Sequence, residues 1–312
     1  MNLLIGSRGS QLALWQAHHI ADLLRDQGHV VDIEIIKTTG DRLQEVTFAQ
    51  VGSKGMFTKE IEDALADGRV DLAVHSLKDL PTELPEPFAL AATPPRVDPR
   101  DAFVSVSCAN IAALPPGARV GTSSQRRRAQ LKALRPDIEA VEFRGNVDTR
   151  LRKLAEGQVD AILLAAAGLD RLGKTEWVRE RLDPKDFCPA AGQGSLGIET
   201  RRDDAATIAA VAFLDDAATR FAVTAERGAL AALGGGCQVP IGIHCRPDAA
   251  EGNWEIFAVV ADPETGNAIR AFQAVPQTDA DAVALGRLAV EKLIGAGAGS
   301  LLRLHTPGGV SR

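Results

Sequence analysis

Short apolar strands alternate with helical segments through much of the chain. Residues 2–6 have the apolar character of a strand, and Ser10 can cap a following helix whose apolar face carries Leu12, Trp15 and Ile20. Alternation of this kind predicts mostly parallel sheets with helices on both faces. Further strands are predicted over residues 30–37, 70–75, 119–121, 138–143 and 159–165.

A faint internal repeat indicates two related halves. The segment 66–71 (ADGRVD) precedes one apolar strand, and the segment 155–160 (AEGQVD) precedes another. Gly6-Ser7 and Gly121-Thr122 each follow a strand and open a helix, where free backbone N–H groups and the helix dipole attract anions. We therefore expect two α/β lobes whose anion-binding turns face a common cleft at the carboxyl ends of the strands.

The last third of the chain has a different pattern. Residues 217–233 form an alanine-rich helix that ends at a triple glycine, which is a strong C-cap signal. Strands predicted over 241–246, 254–262 and 268–275 follow one another directly, and a final helix begins near Asp279. This order predicts a small α+β domain with an antiparallel sheet.

These patterns predict an α/β protein with two doubly wound lobes, which resemble periplasmic-binding-protein domains, and a small α+β C-terminal domain with an antiparallel sheet. We expect one lobe from residues 1–96 plus 195–214, the second from 97–194, and the α+β domain from 215–312. Residues 38–56 have no clear period, and we interpret them as a lid over the cleft rather than as a disordered segment.

Length and composition are those of an ordinary globular protein, and 312 residues suffice for two or three hydrophobic cores. No segment has the length and apolar character of a membrane span, and residues 1–20 do not resemble a secretory signal. The four cysteines are too few for a disulfide framework in a chain of this length, which indicates a reducing compartment. We therefore expect a cytoplasmic protein without a membrane partner.

Charge is distributed unevenly along the chain. The formal net charge is −6, yet ten basic and four acidic residues lie between residues 119 and 153. Arginine suits bidentate recognition of carboxylate or phosphate better than lysine does. A local arginine patch in an acidic protein favours a small anionic ligand, whereas the net charge and an aromatic content of 4% argue against a nucleic acid.

Candidate chemistry lies where predicted strands end. Lys78 and Asp79 follow the strand over 70–75. A carboxylate near several arginines stays ionised, so Asp79 could stabilise a cation on a substrate nitrogen or carry a proton; the alternative is a turn-capping aspartate beside a solvated lysine.

The segments 121–128 (GTSSQRRR) and 143–150 (FRGNVDTR) put arginines at two strand–helix junctions. Solvated charge runs are the usual explanation, but two clusters in one lobe favour a cleft for a polyanion.

Two motifs do not support the functions that they first suggest. The segment 192–197 (GQGSLG) matches GxGxxG, but a cysteine-proline segment precedes it and a strand pattern follows it. We therefore interpret it as a crossing between lobes rather than as a dinucleotide site. Cys237, His244 and Cys245 match no common zinc spacing, and we expect no metal.

Cys237 lies in a glycine-rich turn, residues 233–240 (LGGGCQVP). Glycines leave room around the thiol and permit positive φ angles close to a bulky partner. An isolated GGGC segment is more often a buried cysteine beside a turn. The arginine clusters and Asp79 shift the balance towards a presented thiol.

Six segments carry a further signal through their order and spacing. They are 8–16 (RxSxLAxxQ), 52–60 (GSKGMFTKE), 75–81 (HSxKDxP), 121–127 (GTSSxRR), 144–151 (RGNVxTRL) and 235–240 (GGCQVP). Together they resemble the porphobilinogen deaminase family, and the resemblance covers essentially the whole chain. It implies an enzyme that joins four porphobilinogen units head to tail with loss of ammonia, giving the linear tetrapyrrole hydroxymethylbilane on a covalent dipyrromethane cofactor.

The same resemblance implies roles for individual residues. Cys237 would hold the cofactor through a thioether as a tether, and Lys78 would bind a cofactor carboxylate. Asp79 would bind the cofactor through its pyrrole N–H groups and stabilise the azafulvenium cation formed when ammonia leaves the substrate. Each pyrrole carries an acetate and a propionate, so the growing oligomer needs many cationic partners. The other implied residues are Thr122, Ser124, Arg126 and Arg127 for the cofactor, Arg8, Ser10, Arg144, Arg150 and Arg171 for the substrate, and Lys54 and Phe57 in a mobile loop.

One alternative function stays open at this point, a non-catalytic bilobal receptor for a small anion. Cys237 and Asp79 distinguish the two functions, because a receptor needs neither a presented thiol nor a carboxylate in its cleft. The partner implied by the resemblance is porphobilinogen, and we expect a monomer.

Overall fold

A computed structural model describes residues 1–39, 58–235 and 240–304, with side chains to residue 302. In chain order its strands are β1 (Asn2–Ser7), β2 (Val30–Ile35), β3 (Leu72–Ser76), β4 (Phe88–Ala92), β5 (Asp101–Ser105), β6 (Arg119–Gly121), β7 (Glu139–Val141), β8 (Ala161–Ala165), β9 (Val178–Arg181), β10 (Leu196–Arg201), β11 (Ile241–Asp248), β12 (Asn253–Ala261) and β13 (Ala268–Pro276). Its α-helices are α1 (Gln11–Asp26), α2 (Lys59–Ala66), α3 (Gln125–Leu134), α4 (Val147–Ala155), α5 (Ala166–Arg171), α6 (Ala205–Val211), α7 (Ala217–Ala232), α8 (Ala282–Gly295) and α9 (Ala298–Leu304).

Two five-stranded sheets of the same topology form the first two lobes. Lobe 1 has the strand order β2-β1-β3-β10-β4, and lobe 2 has the order β7-β6-β8-β5-β9. In each sheet four strands run in one direction, and one strand, β10 or β5, runs antiparallel to both neighbours. These two strands follow the segments that connect the lobes, which we call the first crossing (residues 93–100) and the second crossing (residues 182–195). The predicted α/β fold class is confirmed.

The internal repeat occupies equivalent places in the two lobes. Gly68 and Gly157 follow α2 and α4 with φ angles of 69° and 74°, which glycine adopts without strain. Asp71 then accepts a hydrogen bond from a β1 amide at 2.8 Å, and Asp160 accepts one from a β6 amide at 2.7 Å. In both lobes the repeat therefore ends a helix and ties the next strand to the first strand of the sheet.

The third domain is a three-stranded antiparallel sheet, β11-β12-β13, packed against α7 and α8. Alternate side chains of β12 face opposite sides of this sheet, as the strand period requires. Ile256 and Ala258 lie in the domain's own core, whereas Phe257 and Val259 pack with Ala129 of α3 in lobe 2. The predicted antiparallel α+β domain is confirmed, and its second face is part of the contact with lobe 2.

Helix α7 also contacts lobe 1 directly behind β3. Val223 packs with Leu77 and Leu80 around the short 3₁₀ turn that follows the strand. Arg227, one helical turn further along, donates a hydrogen bond to the carbonyl of Pro81 at 2.6 Å. The third domain therefore supports the turn that carries Lys78 and Asp79 as well as the helix that carries Arg126 and Arg127.

A buried carboxylate, Glu226 on α7, fastens both crossings to the third domain. Arg96 of the first crossing donates to Glu226 Oε1 at 2.6 Å, and the Gly192 amide of the second crossing donates to Oε2 at 2.6 Å. The Cys245 amide on β11 donates to Oε1 at 2.7 Å. One side chain thus holds both connections between the lobes, and replacing it would leave Arg96 as a buried charge without this partner.

Within the described part of the chain, no helix is both long enough and apolar enough to cross a membrane.

Candidate functional site

The carboxyl ends of the parallel strands of both lobes border one cleft. Helices α1 and α5 approach each other across it, and the Arg171 guanidinium lies 5.9 Å from the centre of the Trp15 ring. Ligands of open α/β sheets bind at this edge of the strands. The sequence-predicted residues that follow strands here are Arg8 and Ser10 after β1, Lys78 and Asp79 after β3, Thr122, Ser124, Arg126 and Arg127 after β6, Arg144 and Arg150 after β7, and Arg171 on α5.

A buried carboxylate, Asp101, holds two of the predicted cofactor residues. Arg126 Nη1 donates to Asp101 Oδ2 at 2.6 Å, and Arg127 Nη2 lies 2.7 Å from Oδ1. The same guanidiniums donate to backbone carbonyls, Arg126 to Cys188 at 2.7 Å and Arg127 to Leu163 at 3.1 Å. These bonds fix both arginines against lobe 2 before a ligand binds.

The charges in this cluster do not cancel. Burial alone would raise the pKa of Asp101, but the Arg126 and Arg127 cations outweigh burial and hold that pKa well below its usual range. The carboxylate therefore stays ionised at neutral pH, and arginine side chains stay protonated in proteins. Because two guanidiniums share one carboxylate, the cluster keeps a positive charge that an anionic ligand can neutralise.

Lys78 adds a third cation from lobe 1. Burial lowers its pKa to about 8, and the nearby Arg127 and Arg126 act in the same direction, whereas Asp79 and Asp101 oppose the shift. The Lys78 ammonium also donates a long hydrogen bond, 3.4 Å, to Gln193 Oε1 in the second crossing. At neutral pH most Lys78 side chains carry a charge, and in mildly alkaline solution many do not.

Asp79 differs from Asp101 in exposure and in bonding. It ends the 3₁₀ turn that follows β3, its side chain is exposed, and it accepts no hydrogen bond from any residue that the structure describes. It acts on Lys78 and Arg127 through its charge alone. Its two oxygens can therefore accept hydrogen bonds from N–H groups of a ligand in the cleft.

Arg150 and Arg171 are partly buried cations that form no ion pair with the described residues. Arg150 donates weakly to Ser123 Oγ at 3.5 Å, and Arg171 donates to the Gly194 carbonyl at 2.9 Å. The Nε atom of each is buried without an acceptor. Burial lowers the pKa of both to about 10, so both are charged at neutral pH. Buried guanidiniums in this state favour an anion with several carboxylates.

The predicted hydroxyls serve as backbone caps. Ser10 Oγ accepts from the Ala13 amide at 3.3 Å, and Ser124 Oγ accepts from the Arg127 amide at 3.4 Å. Thr122 Oγ1 accepts from the Ser124 amide at 3.2 Å. Capping uses the oxygen as an acceptor, so each O–H remains able to donate to a carboxylate.

Arg144 and Arg8 are less specialised than the buried arginines. Arg144 is paired with Glu142 at 2.6 Å, and Arg8 is half-buried in the turn after β1. Asp148, the acid among the arginines of this lobe, lies 3.8 Å from Lys174 instead of contacting an arginine. A ligand would therefore compete with Glu142 for Arg144 but would find no such competitor at Arg150.

Sequence analysis missed Asp101, Gln193 and Glu142. Asp101 directly precedes an apolar run (AFVS), and an acid in that position is buried when the run becomes a central strand; this signal was available. Gln193 lies within the GQGSLG motif that we interpret as a crossing, and its contacts depend on the packing of both lobes. Glu142 is two residues from Arg144, and nothing in the local sequence predicts that they pair.

Three of the four cysteines lie among the described residues, and two of these three are buried. Cys188 and Cys245 are buried, and burial raises the pKa of Cys188 to about 12 and raises that of Cys245 as well. Cys108 is partly exposed. The predicted tether Cys237 and the predicted loop residues Lys54 and Phe57 lie outside the described residues.

A separate cavity of about 770 Å³ lies behind the first crossing, and the cleft residues do not line it. Arginines line it too, but each is paired with an acid: Arg96 with Glu226, Arg100 with Asp98, Arg181 with Asp170 and Arg246 with Glu255. We place the functional site in the cleft because its buried arginines exceed the acids that could pair with them. The described residues contain no group of three His, Cys, Asp or Glu side chains suited to a metal ion.

Comparisons with known proteins match this chain over nearly its full length. Residues 3–209 match the family model "Porphobilinogen deaminase, dipyromethane cofactor binding domain", and residues 220–295 match "Porphobilinogen deaminase, C-terminal domain". The chain belongs to the porphobilinogen deaminase family. The porphobilinogen deaminase of Nitratidesulfovibrio vulgaris (strain DSM 19637 / Miyazaki F) is 50% identical over 304 residues, covering 96% of each chain, and that of Roseiflexus sp. (strain RS-1) is 48% identical over 302 residues, covering 96% of this chain and 98% of the relative.

A likeness to a solved structure is weaker. The methionine binding protein MetQ has a TM-score of 0.45 and 12% identity, over 68% of this chain and 89% of that one. A likeness of this size carries no argument about function, so it gives the receptor alternative no support. Porphobilinogen deaminase membership rests on the sequence matches.

We predict that Lys78 reacts with an amine acylating reagent with a pH dependence centred near pH 8. Its folded pKa lies below that of a free lysine because burial disfavours the charged form, so the reactive neutral amine is populated earlier as pH rises. Peptide mass spectrometry after brief acylation measures the rate at each pH, with the exposed Lys185 as internal reference. A Lys78 profile that coincides with that of Lys185 would contradict the buried, cation-flanked environment.

Proposed function

We propose that this chain joins four porphobilinogen units head to tail, releasing ammonia at each addition, and produces hydroxymethylbilane for tetrapyrrole biosynthesis. Family membership carries the reaction class, and the uncompensated positive charge in the cleft is the observation that links it to this chain's own residues. Porphobilinogen carries an acetate and a propionate on each pyrrole, so a chain of several units presents a row of carboxylates. Partly buried arginines without an acid partner among the described residues match that ligand class.

The family's dipyrromethane cofactor carries the same carboxylates, and the cleft fits it. The buried Nε atoms of Arg126, Arg150 and Arg171 have no acceptor among the described residues, and Asp101 neutralises fewer charges than Arg126, Arg127 and Lys78 bring. We infer that the cofactor is held by Lys78, Arg126 and Arg127 together with the O–H groups of Thr122 and Ser124. We infer that the incoming and growing units are held by Arg8, Ser10, Arg144, Arg150 and Arg171. When bound, the dipyrromethane supplies the pyrrole carbon to which the first unit is joined.

We infer that Asp79 is the catalytic residue. Its exposed carboxylate has free acceptor capacity directly after β3, and it faces the cations that would hold the ligand's carboxylates. It can accept hydrogen bonds from pyrrole N–H groups, and its negative charge stabilises the cation that forms on the substrate as ammonia departs. It can also take a proton when the new carbon–carbon bond is complete. Asp101 cannot act in this way because Arg126, Arg127 and Gln193 donate to its Oδ1 and Arg126 also donates to its Oδ2.

We infer that Cys237 is the tether. Thiolate formation is disfavoured at the buried Cys188 and Cys245. Strand β5 is about 13 Å long from Asp101 to Ser105. The Cys108 amide donates to Ser105 Oγ at 3.2 Å, so Cys108 lies at the end of β5 opposite the arginine cluster. Residue 237 follows α7, the helix that packs behind Lys78 and Asp79, and Gly234 ends that helix with a φ angle of 67°.

We extend the proposal to the molecule's organisation. We propose a cytoplasmic monomer with lobes of residues 1–96 plus 195–214 and 97–194 and a third domain of residues 215–312. Strands β5 and β10 begin just after the two crossings, and Asp216 caps the first helix of the third domain, which supports these boundaries. Porphobilinogen is the proposed small-molecule partner, with neither nucleic acid nor membrane as a further one.

We predict that intact-mass analysis of the denatured wild-type chain, made in cells that synthesise porphobilinogen, shows an adduct of two linked pyrroles. The thioether survives denaturation, so the adduct follows the anchoring cysteine. Cys237→Ser should abolish the adduct, and the matched control Cys108→Ser should retain it. An adduct that persists in Cys237→Ser, or a wild-type chain without one, would exclude Cys237 as the tether.

We predict that Asp79→Asn folds, carries the adduct and turns over porphobilinogen roughly a hundredfold more slowly or worse, because the neutral amide cannot stabilise the developing cation. The control is Asp32→Asn, which removes the same charge from an exposed position on β2. Initial rates of porphobilinogen consumption, with adduct mass and thermal stability measured in parallel, provide the test. Turnover close to that of the Asp32→Asn control would remove Asp79 from the mechanism.

A further inference from the structure

Gln193 connects the two lobes at the floor of the cleft. Its side chain is buried, 1% exposed, and both ends of the amide have partners. Nε2 donates to Asp101 Oδ1 at 3.0 Å and to the Pro99 carbonyl at 2.8 Å. Oε1 accepts from Lys78 Nζ at 3.4 Å. A continuous hydrogen-bonded chain therefore runs from Lys78 of lobe 1 through Gln193 to Asp101 and its arginines in lobe 2.

The chemistry of the partners fixes the orientation of this amide. A protonated Lys78 can only donate hydrogen bonds, and an ionised Asp101 can only accept them. The carbonyl end of Gln193 must therefore face Lys78 and its NH₂ end must face Asp101. A carboxylate at this position could not donate to Asp101 when ionised, and an aliphatic side chain could make neither bond.

The glycines on either side of Gln193 allow the crossing to lie this close to both lobes. Gly192 and Gly194 have φ angles of 72° and 88°. A Cβ atom at residue 194 would lie 2.6 Å from the Val97 carbonyl oxygen, and one at residue 192 would lie 3.3 Å from the Lys78 amide nitrogen. The two glycines of the GQG segment, which does not bind a dinucleotide here, therefore allow Gln193 to lie between Lys78 and Asp101.

We propose that Gln193 is a positioning residue. It fixes Lys78 of lobe 1 relative to Asp101, Arg126 and Arg127 of lobe 2, so that the two halves of the cofactor site keep one distance and orientation. Because the amide is neutral, it joins a cation to a carboxylate without reducing the positive charge available to the ligand. Glu226 anchors Arg96 to the third domain, and Arg96 Nε donates to the backbone carbonyl of Gln193 at 2.8 Å. The backbone of Gln193 is therefore held as well as its side chain. This inference rests on the proposed function.

The primary test compares Gln193→Leu with Gln130→Leu. Gln130 is an equally buried amide in lobe 2, with hydrogen bonds of 2.9 Å and 2.7 Å to the backbone of Cys188 and none to Lys78 or Asp101. Arg126 donates to the same Cys188 carbonyl, but Asp101 holds that arginine independently of Gln130. Cofactor-free chains are mixed with porphobilinogen, and intact mass follows the appearance of the Cys237 adduct. We expect Gln193→Leu to load roughly tenfold to a hundredfold more slowly than wild type, as small misplacements of binding groups do. Gln130→Leu should load close to the wild-type rate at a similar loss of thermal stability.

A second variant decides the matter if Gln193→Leu does not fold. Gln193→Glu is nearly isosteric, and its ionised carboxylate can accept from Lys78 but cannot donate to Asp101. The cations Lys78, Arg126 and Arg127 outnumber Asp101 around it and favour the ionised form. We therefore expect Gln193→Glu to load roughly tenfold or more slowly than wild type, although its side chain has nearly the wild-type volume. A loss of stability alone would not make its loading slower than that of Gln130→Leu at a similar unfolding midpoint.

The outcomes separate the inference from the function on which it rests. If wild type never acquires an adduct on Cys237, the proposed function fails and the inference fails with it. If wild type loads normally but Gln193→Leu loads as fast as Gln130→Leu, the positioning role is overturned while the proposed function stands. A Gln193→Glu chain that loads as fast as Gln130→Leu overturns the role as well.

Discussion

A cleft that has to hold many carboxylates must keep more positive than negative charge away from bulk water, and that requirement explains the unusual bonding in this structure. Buried cations are costly without partners. The fold meets part of the cost with one carboxylate, Asp101, which fixes Arg126 and Arg127 and leaves a positive remainder. Arg150 and Arg171 add cations whose Nε atoms have no acceptor among the described residues. We expect the ligand's carboxylates to accept the hydrogen bonds that these arginines leave unmade.

Preorganisation of this charge depends on the third domain. Its helix α7 packs behind the turn of Lys78 and Asp79, its strand β12 packs on α3, and Glu226 binds both crossings. The third domain thus supports the turn of Lys78 and Asp79, the helix of Arg126 and Arg127, and both crossings from behind. The same packing fixes the Lys78 half and the Arg126–Arg127 half of the cation cluster relative to one another before a ligand binds.

The sequence predicted the fold better than it predicted the interior of the site. Alternating patterns predicted the two α/β lobes, the internal repeat and the helix cap Ser10 because those signals are local. The antiparallel direction of β5 and β10 was not predicted, since a buried return strand has the same apolar run as a parallel one. The arginines were identified by position, but their shared partner Asp101 and the bridging Gln193 come from distant segments. Which cations are neutralised and which remain available depends on those long-range pairings.

We infer that the cleft holds surplus positive charge that the bound cofactor neutralises. Thermal unfolding tests this inference when the loaded wild type and the cofactor-free Cys237→Ser chain are each measured with citrate or with chloride at matched ionic strength. We predict a lower midpoint for the cofactor-free chain, raised by several degrees by citrate but not by chloride, and no citrate effect on the loaded chain, because binding to the folded state stabilises it. Equal midpoints and equal responses to citrate in the two chains would contradict the claim.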